Sequence, residues 1–252
     1  MHDPHAMSAG REPAAPALSA PQSAPAPRGR RDFLRAAWFG GAALALAACG
    51  AAAERGLVAP GAAPTPTDAI IGPNGSVQLD FNLDTDVLNY AYALEQLEAA
   101  FYIAVASAPG FATTFPANEQ RILLGLRDHE IVHRDFLRAA LGAAAIPNLT
   151  PDFSAVNFGS RTSVLQTAQT FEDLGVGAYN GAGKYLRDEG LLTIAGKIVS
   201  VEARHASAIR AVLNGNRTQT FAPDPFDPAL APAAVLQAAD PFIVENITVI
   251  NA

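Results

Sequence analysis

Two stretches of this chain carry the same motif: RDHEIVHRDF at residues 127–136 and VSVEARHASA at residues 199–208. Each holds a glutamate followed three positions later by a histidine, Glu130-x-x-His133 and Glu202-x-x-His205. On an α-helix, residues three apart lie on one face, one turn from each other. Each copy therefore aims a carboxylate and an imidazole at one point. A single copy would read better as a surface pair at helical spacing. The doubling changes that, because only three of the five histidines lie beyond residue 100, and two of those three carry the glutamate. The third, His129, sits about 100° around the helix from Glu130. It is expected to point elsewhere, as a packed or solvated histidine.

Two such helices, each facing a helix that supplies one more glutamate, make a cage for two metal ions, the arrangement of di-iron and di-manganese carboxylate bundles. Two upstream segments supply candidates. DTDVLNYAYALEQLEAAFYIAVASA, residues 84–108, contains Glu95 and Glu98; SVLQTAQTFEDLGVGAYNGAGKYL, residues 163–186, contains only Glu172. Glu95 is followed seven residues on by Tyr102, and Glu172 seven residues on by Tyr179. Seven residues are two helical turns, so each tyrosine shares a face with its glutamate. The chain thus reads Glu, Tyr, Glu-x-x-His, and then repeats, which predicts two helical hairpins related by a pseudo-two-fold axis. The repeat selects Glu95 over Glu98, and leaves Glu98 as a neighbouring carboxylate outside the ligand set. The tyrosines read either as buried core residues with bonded hydroxyls or as donors that orient the carboxylates.

The resulting architecture is all-α, an up-down four-helix bundle. A first helix starts near Asp84 or Asp86, either of which suits its N-cap. A second starts near Pro116. AAAIPNLTPDFSAVNFGS, residues 143–160, is long enough to cross the bundle. A third helix is predicted over 161–188 and a fourth over 191–213. Gly175, Gly177, Gly181 and Gly183 interrupt the third, although glycine weakens a helix; close helix approach and a local bulge both account for them. The Pro-rich end predicts one short helix near 233–238, and the alternating IVENITVI, residues 243–250, predicts a short strand or an extended arm; the plainer reading is a tail draped over the bundle.

The N-terminus reads differently. About thirty residues rich in Ala and Pro precede GRRDFLRAAWFGGAALALAACG, residues 29–50. Arg30 and Arg31, followed by Phe33 and Leu34, resemble a twin-arginine export signal. The apolar stretch Ala36–Ala48 is too short to span a bilayer comfortably. It ends Leu46-Ala47-Ala48-Cys49, which resembles a bacterial lipobox, so Cys49 is the expected lipidation site; ordinary signal cleavage nearby is the competing reading. Cys49 is the only cysteine, which excludes disulfides and thiolate metal sites. These features divide the chain into a twin-arginine signal region with a disordered lead (1–48), a lipid-anchored linker (49–82), the bundle (83–215) and a Pro-rich tail (216–252). From Cys49 onward twelve Lys and Arg stand against twenty-one Asp and Glu. That balance argues against nucleic acid as a partner. Membrane association would rest on the acyl chains of Cys49.

LNYAYALEQLEAAFY (88–102), DHEIVH (128–133), VSVEARHASAIR (199–210) and the downstream PFIV (241–244) together resemble the bacterial ferritin-like domain that also occurs in desiccation-related proteins. The resemblance runs from about residue 83 to 215. It implies a ferritin-like bundle with one long crossover and metal ligands at Glu95, Glu130, His133, Glu172, Glu202 and His205. Four carboxylates and two imidazoles suit two ions of iron or manganese and suit soft metals poorly. In this reading Glu130 and Glu202 bridge, Glu95 and Glu172 are terminal, and each histidine caps one ion. The expected function is redox chemistry on peroxide or oxygen, as a peroxidase, oxidase or catalase, in the envelope on the periplasmic side. The alternative is a non-enzymatic stress-protective or structural module. No haem-attachment or nucleotide-binding motif is present, so electrons would come from a separate donor. Export machinery is the expected partner, and a homo-oligomer is compatible with the sequence.

Overall fold

In the computed structural model, residues 70–72, 75–215 and 221–252 are described. The arginine pair, Cys49 and most of the linker lie outside them. Four long helices build the body: α1 (Asp84–Ser107), α3 (Ala117–Leu141), α4 (Arg161–Ala182) and α5 (Glu189–Leu213). A single turn, α2 (Phe111–Thr114), links the first two. α1 packs against α3 and α4 against α5, so the two hairpins expected from the repeat are present. The bundle is mainly α-helical, as the motif spacing requires.

α1 is buried almost all round: from Asp86 to Ala99 every residue is buried. A helix apolar on all faces needs neighbours on all faces, and three supply them besides α3. α4 covers one side. The crossover covers another, held by two amides two turns apart on α1. Asn89 Nδ2 donates to the Ala144 carbonyl (2.9 Å) and its Oδ1 accepts from Ile146 N (2.9 Å). Gln96 Oε1 accepts from Leu149 N (2.9 Å), and its Nε2 donates to the Pro147 carbonyl (3.4 Å). These bonds satisfy backbone groups that the crossover would otherwise bury unpaired. A small sheet adjoins the start of α1. It has the order β1 (Ile70–Ile71), β2 (Val77–Asp80), β3 (Ile247–Ile250), with β1–β2 antiparallel and β2–β3 parallel.

That sheet departs from the expectation of a plain tether. Residues 77–80 form a strand pairing with residues 247–250 near the opposite end of the chain, and Val77 and Leu79 are core residues. The tail also forms the expected short helix, α6 (Pro232–Ala239), which begins with proline at its first position.

The helix ends differ from expectation in instructive ways. Asp84 and Asp86 do not cap α1. Asp84 accepts from the backbone N–H groups of Arg187 (2.9 Å) and Asp188 (2.8 Å), and Asp86 accepts from Asp80 N (2.7 Å). Both carboxylates thus tie remote segments to the start of α1. α4 stops at Ala182 rather than 188, because the chain tightens into a 3-10 turn at Gly183–Tyr185. Asp188 then caps α5 by accepting from Leu191 N (2.9 Å). Arg161 joins three helices by a forked pair with Glu119 (2.7 and 2.8 Å) and a bond to the Val212 carbonyl (2.9 Å).

The glycines of α4 answer to two neighbours. At Gly175 a Cβ would lie 2.9 Å from Glu98 Oε1, so this glycine makes room for a carboxylate on α1. At Gly177 and Gly181 the neighbour is Leu230 of the tail, whose N–H donates to the Gly177 carbonyl (2.9 Å). The close approach is therefore to a side chain and to an irregular strap, and α4 needs no bulge. A methyl group at Gly181 would overlap the Leu230 carbonyl oxygen. The Gly181→Ala variant is expected to lose about 1–3 kcal/mol of stability through this overpacking. Gly196, exposed in α5 with nothing within 4 Å, is the control; Gly196→Ala is expected to gain about 0.5–1 kcal/mol. Denaturant unfolding of both variants checks the pair, and equal effects would contradict this account of the tail.

Candidate metal centre

Glu130 and His133 project from α3, Glu202 and His205 from α5, Glu95 from α1 and Glu172 from α4. All four glutamates have no exposed surface, and His205 is 3% exposed. Their inner atoms form two overlapping groups, each with ligand-type atoms within 4.8 Å of one another. The first is Glu95, Glu130, His133 and Glu202; the second is Glu130, Glu172, Glu202 and His205. Glu130 and Glu202 are shared. The remaining four residues divide between the groups as the repeat predicts.

The geometry repeats across the pseudo-two-fold axis. His133 Nδ1 lies 2.8 Å from Glu202, 3.4 Å from Glu130 and 3.5 Å from Glu95. His205 Nδ1 lies 2.7 Å from Glu130, 3.4 Å from Glu172 and 3.5 Å from Glu202. Each imidazole is thus nearest the glutamate of the other motif. None of these contacts has hydrogen-bond geometry. Glu95 Oε2, both oxygens of Glu130 and of Glu202, Glu172 Oε2 and the two Nδ1 atoms are buried without a hydrogen-bond partner. Buried polar atoms are normally paired. Eight orphaned ligand-type atoms facing one small volume fit the coordination demand of metal ions.

The tyrosines sit crosswise. Tyr102 donates to Glu172 Oε1 (2.5 Å) and Tyr179 to Glu95 Oε1 (2.7 Å), so each orients the glutamate of the opposite hairpin. A seven-residue step is about 10 Å along a helix, too far for a tyrosine to reach its own glutamate. The two bonds show that α1 and α4 run antiparallel, which brings Tyr102 level with Glu172. Burial and the adjoining carboxylate hold both phenols far above their ordinary range, so both remain donors.

His129 is where the structure departs from the sequence reading. Its Nδ1 lies 2.8 Å from His205 Nε2, and the two rings stack at 5.1 Å. Partial burial and the charges of His205 and His133 lower its pKa, which keeps it neutral and able to accept. With His129 Nδ1 accepting from His205 Nε2–H, Nδ1 of His205 is the nitrogen that faces the centre and would be available to a metal once deprotonated. The sequence signal for this placement is the four-residue step from His129 to His133, which puts both on one helix face. Among the described residues, nothing equivalent backs His133. Glu98 stays outside both groups, as the repeat predicts. It is 3% exposed and stands one turn from Glu95.

Burial penalises charge on all these groups, and their neighbours decide the outcome. Around His133 the carboxylates of Glu130, Glu202 and Glu95 outweigh burial and push the imidazole up to about 12. Glu130, Glu172 and Glu202 do the same for His205, also to about 12. Burial would raise Glu130, but the two imidazoles hold it down to about 2. Burial and the neighbouring carboxylates raise Glu172 to about 8, and raise Glu95 well above its usual range. Without metal, protons therefore supply the positive charge that the carboxylates need. From the ordinary glutamate range upward, Glu95 and Glu172 hold protons that the unfolded chain releases, and above 6.5 the imidazoles do so too. Stability must fall as the pH rises through these values. Glu130 acts oppositely: its contribution is present above 4.5 and is lost as the pH falls toward 2. The metal-free protein is expected to melt at a lower temperature at about pH 9 than at about pH 6. Calorimetry in a chelator checks this, and a rising melting temperature over that interval would contradict it.

None of the curated proteins matches this chain. A family model described as ferritin-like domain matches residues 83–215, more than half of the chain and the part that supplies all four long helices. The chain belongs to the ferritin-like domain family.

Proposed function

We propose that residues 83–215 hold two divalent redox metal ions, iron or manganese, and that the protein uses them to reduce peroxide or oxygen at the cell envelope. The observation that carries this reading is the set of eight buried ligand atoms, without hydrogen-bond partners, in two overlapping groups. The charge also matches. Four carboxylates balance two divalent ions with both imidazoles neutral, so the filled site would carry no net charge into the protein interior. A hard, oxygen-rich donor set with two imidazole nitrogens suits iron or manganese.

In this reading Glu130 and Glu202, common to both groups, would serve as ligands for either ion. Glu95 and His133 complete one coordination set, Glu172 and His205 the other. Tyr102 and Tyr179 hold the terminal carboxylates in place through their outer oxygens. A bound metal pair would supply one-electron redox chemistry, with an external donor as the source of electrons. The helical surroundings exclude bulk water, and His129 holds the outer nitrogen of His205. The Arg30–Arg31 signal supports delivery of a folded protein by the twin-arginine machinery, and Cys49 supports a lipid anchor on the exported side.

Metal loading must displace the protons now on the site, because ligands bind in deprotonated form. Titrating the metal-free protein with Fe²⁺ or Mn²⁺ in weak buffer near neutral pH is expected to release protons and to saturate at two ions per chain. Glu130→Ala and Glu202→Ala are expected to lose both ions, whereas Glu95→Ala and Glu172→Ala are expected to retain one. The loaded protein with a chemical reductant is then expected to consume peroxide or oxygen. Binding without turnover would leave a structural metal module; no binding, with all variants folded, would refute the metal reading.

A further inference from the structure

The two halves of the centre are built alike but are not backed alike. His129 stands one residue before Glu130 and four before His133; the residue at the same steps before Glu202 and His205 is Val201. His129 Nδ1 reaches from α3 to α5 and lies 2.8 Å from His205 Nε2, with 19° between the two ring planes. A valine has no polar side-chain atom, so α5 returns no such bond to α3. Among the described residues, no group bonds the outer nitrogen of His133. Its side chain is 12% exposed, against 4% for His205, which leaves that nitrogen to solvent.

The inner donors of the two halves match. Each half has one imidazole Nδ1, one glutamate held by a tyrosine, and the shared Glu130 and Glu202. What differs is how firmly each imidazole is held. A ligand imidazole whose far nitrogen donates to a fixed acceptor is already oriented when an ion arrives, and its ligand nitrogen is the more basic for it. An imidazole backed by exchangeable water must give up ring freedom on binding. Removing a fixed outer partner typically weakens metal affinity by about 10–100-fold.

We propose that the two metal positions are unequal and that His129 makes them so: the position of Glu172 and His205 takes its divalent ion first and holds it more tightly, and the position of Glu95 and His133 fills second and empties first. His129 lies outside both ligand groups and acts through His205, so it is a positioning residue. Loading therefore passes through a state with one ion per chain, held beside Glu172 and His205. The inference rests on the metal-binding reading above.

The test is equilibrium titration of the metal-free full-length chain with Co²⁺, followed by the visible absorption of the bound ion and by calorimetry. Repulsion between neighbouring ions also separates the steps of a two-ion titration, so each position is measured alone. Glu95→Ala leaves the position of Glu172 and His205; Glu172→Ala leaves that of Glu95 and His133. Co²⁺ is expected to bind about tenfold or more tightly to Glu95→Ala than to Glu172→Ala. Adding His129→Val, which matches Val201 of α5, is expected to weaken binding by about 10–100-fold in Glu95→Ala and to leave Glu172→Ala unchanged. In the otherwise unaltered chain it is expected to weaken the first step and spare the second. His129→Asn sets an amide oxygen near the place of Nδ1 and is expected to restore most of the affinity, which a general loss of packing would not allow. Equal affinities in the two single-position variants, or a His129→Val effect of the same size in both, would overturn the proposal. If the parent itself binds no Co²⁺, Fe²⁺ or Mn²⁺, the underlying metal reading fails and takes the inference with it, an outcome distinct from either of these.

Discussion

Four carboxylates with no solvent contact share one small volume at the centre of this bundle. Their mutual repulsion is the constraint on which the rest of the structure depends. In a low-dielectric interior, like charges a few ångströms apart cannot all persist without compensation. The protein meets this with two imidazoles driven to hold protons and with glutamates driven to keep theirs. Protons satisfy the charge but leave the geometry unsatisfied, since eight ligand-type atoms find no hydrogen-bond partner. A pair of divalent ions would satisfy both requirements at once.

Holding such a cluster requires a frame that does not relax away from it. Each tyrosine reaches across the α1–α4 seam to the other hairpin's glutamate, so the carboxylates are fixed from outside the cluster. α1, the most deeply buried helix, is surrounded by α3, α4, the crossover and the small sheet. The polar groups it does bury hold those neighbours: Asn89 and Gln96 bind the crossover backbone, and Asp84 and Asp86 bind the approach to α5 and the end of β2. Polar residues in a buried helix here act as fasteners for irregular backbone, which would otherwise have unpaired groups.

Much of this was legible in the sequence because it obeys helical periodicity. The three-residue step of each Glu-x-x-His, the seven-residue step to each tyrosine and their repetition all act within single helices, and they identified the residues that converge. What stayed hidden depends on partners far along the chain. Gly181 is explained by Leu230, Gly175 by Glu98 and residues 77–80 by residues 247–250, and no local pattern announces these pairings. Asp84 and Asp86 looked like helix caps because aspartate at a helix start usually is one; their tertiary roles override that preference. His129 falls outside the Glu-x-x-His pattern, and its link to the site runs through the four-residue step to His133 and the contact with His205 on another helix.

The central claim is that the shared carboxylates of Glu130 and Glu202 bridge two ions. Anomalous diffraction from crystals grown with Mn²⁺ or Fe²⁺, recorded on both sides of the metal edge, tests it most directly. The account predicts two anomalous peaks per chain between Glu130 and Glu202, one beside Glu95 and His133, the other beside Glu172 and His205. A fully ordered site with no anomalous density, or a single ion that leaves one of the two groups protonated, would contradict it.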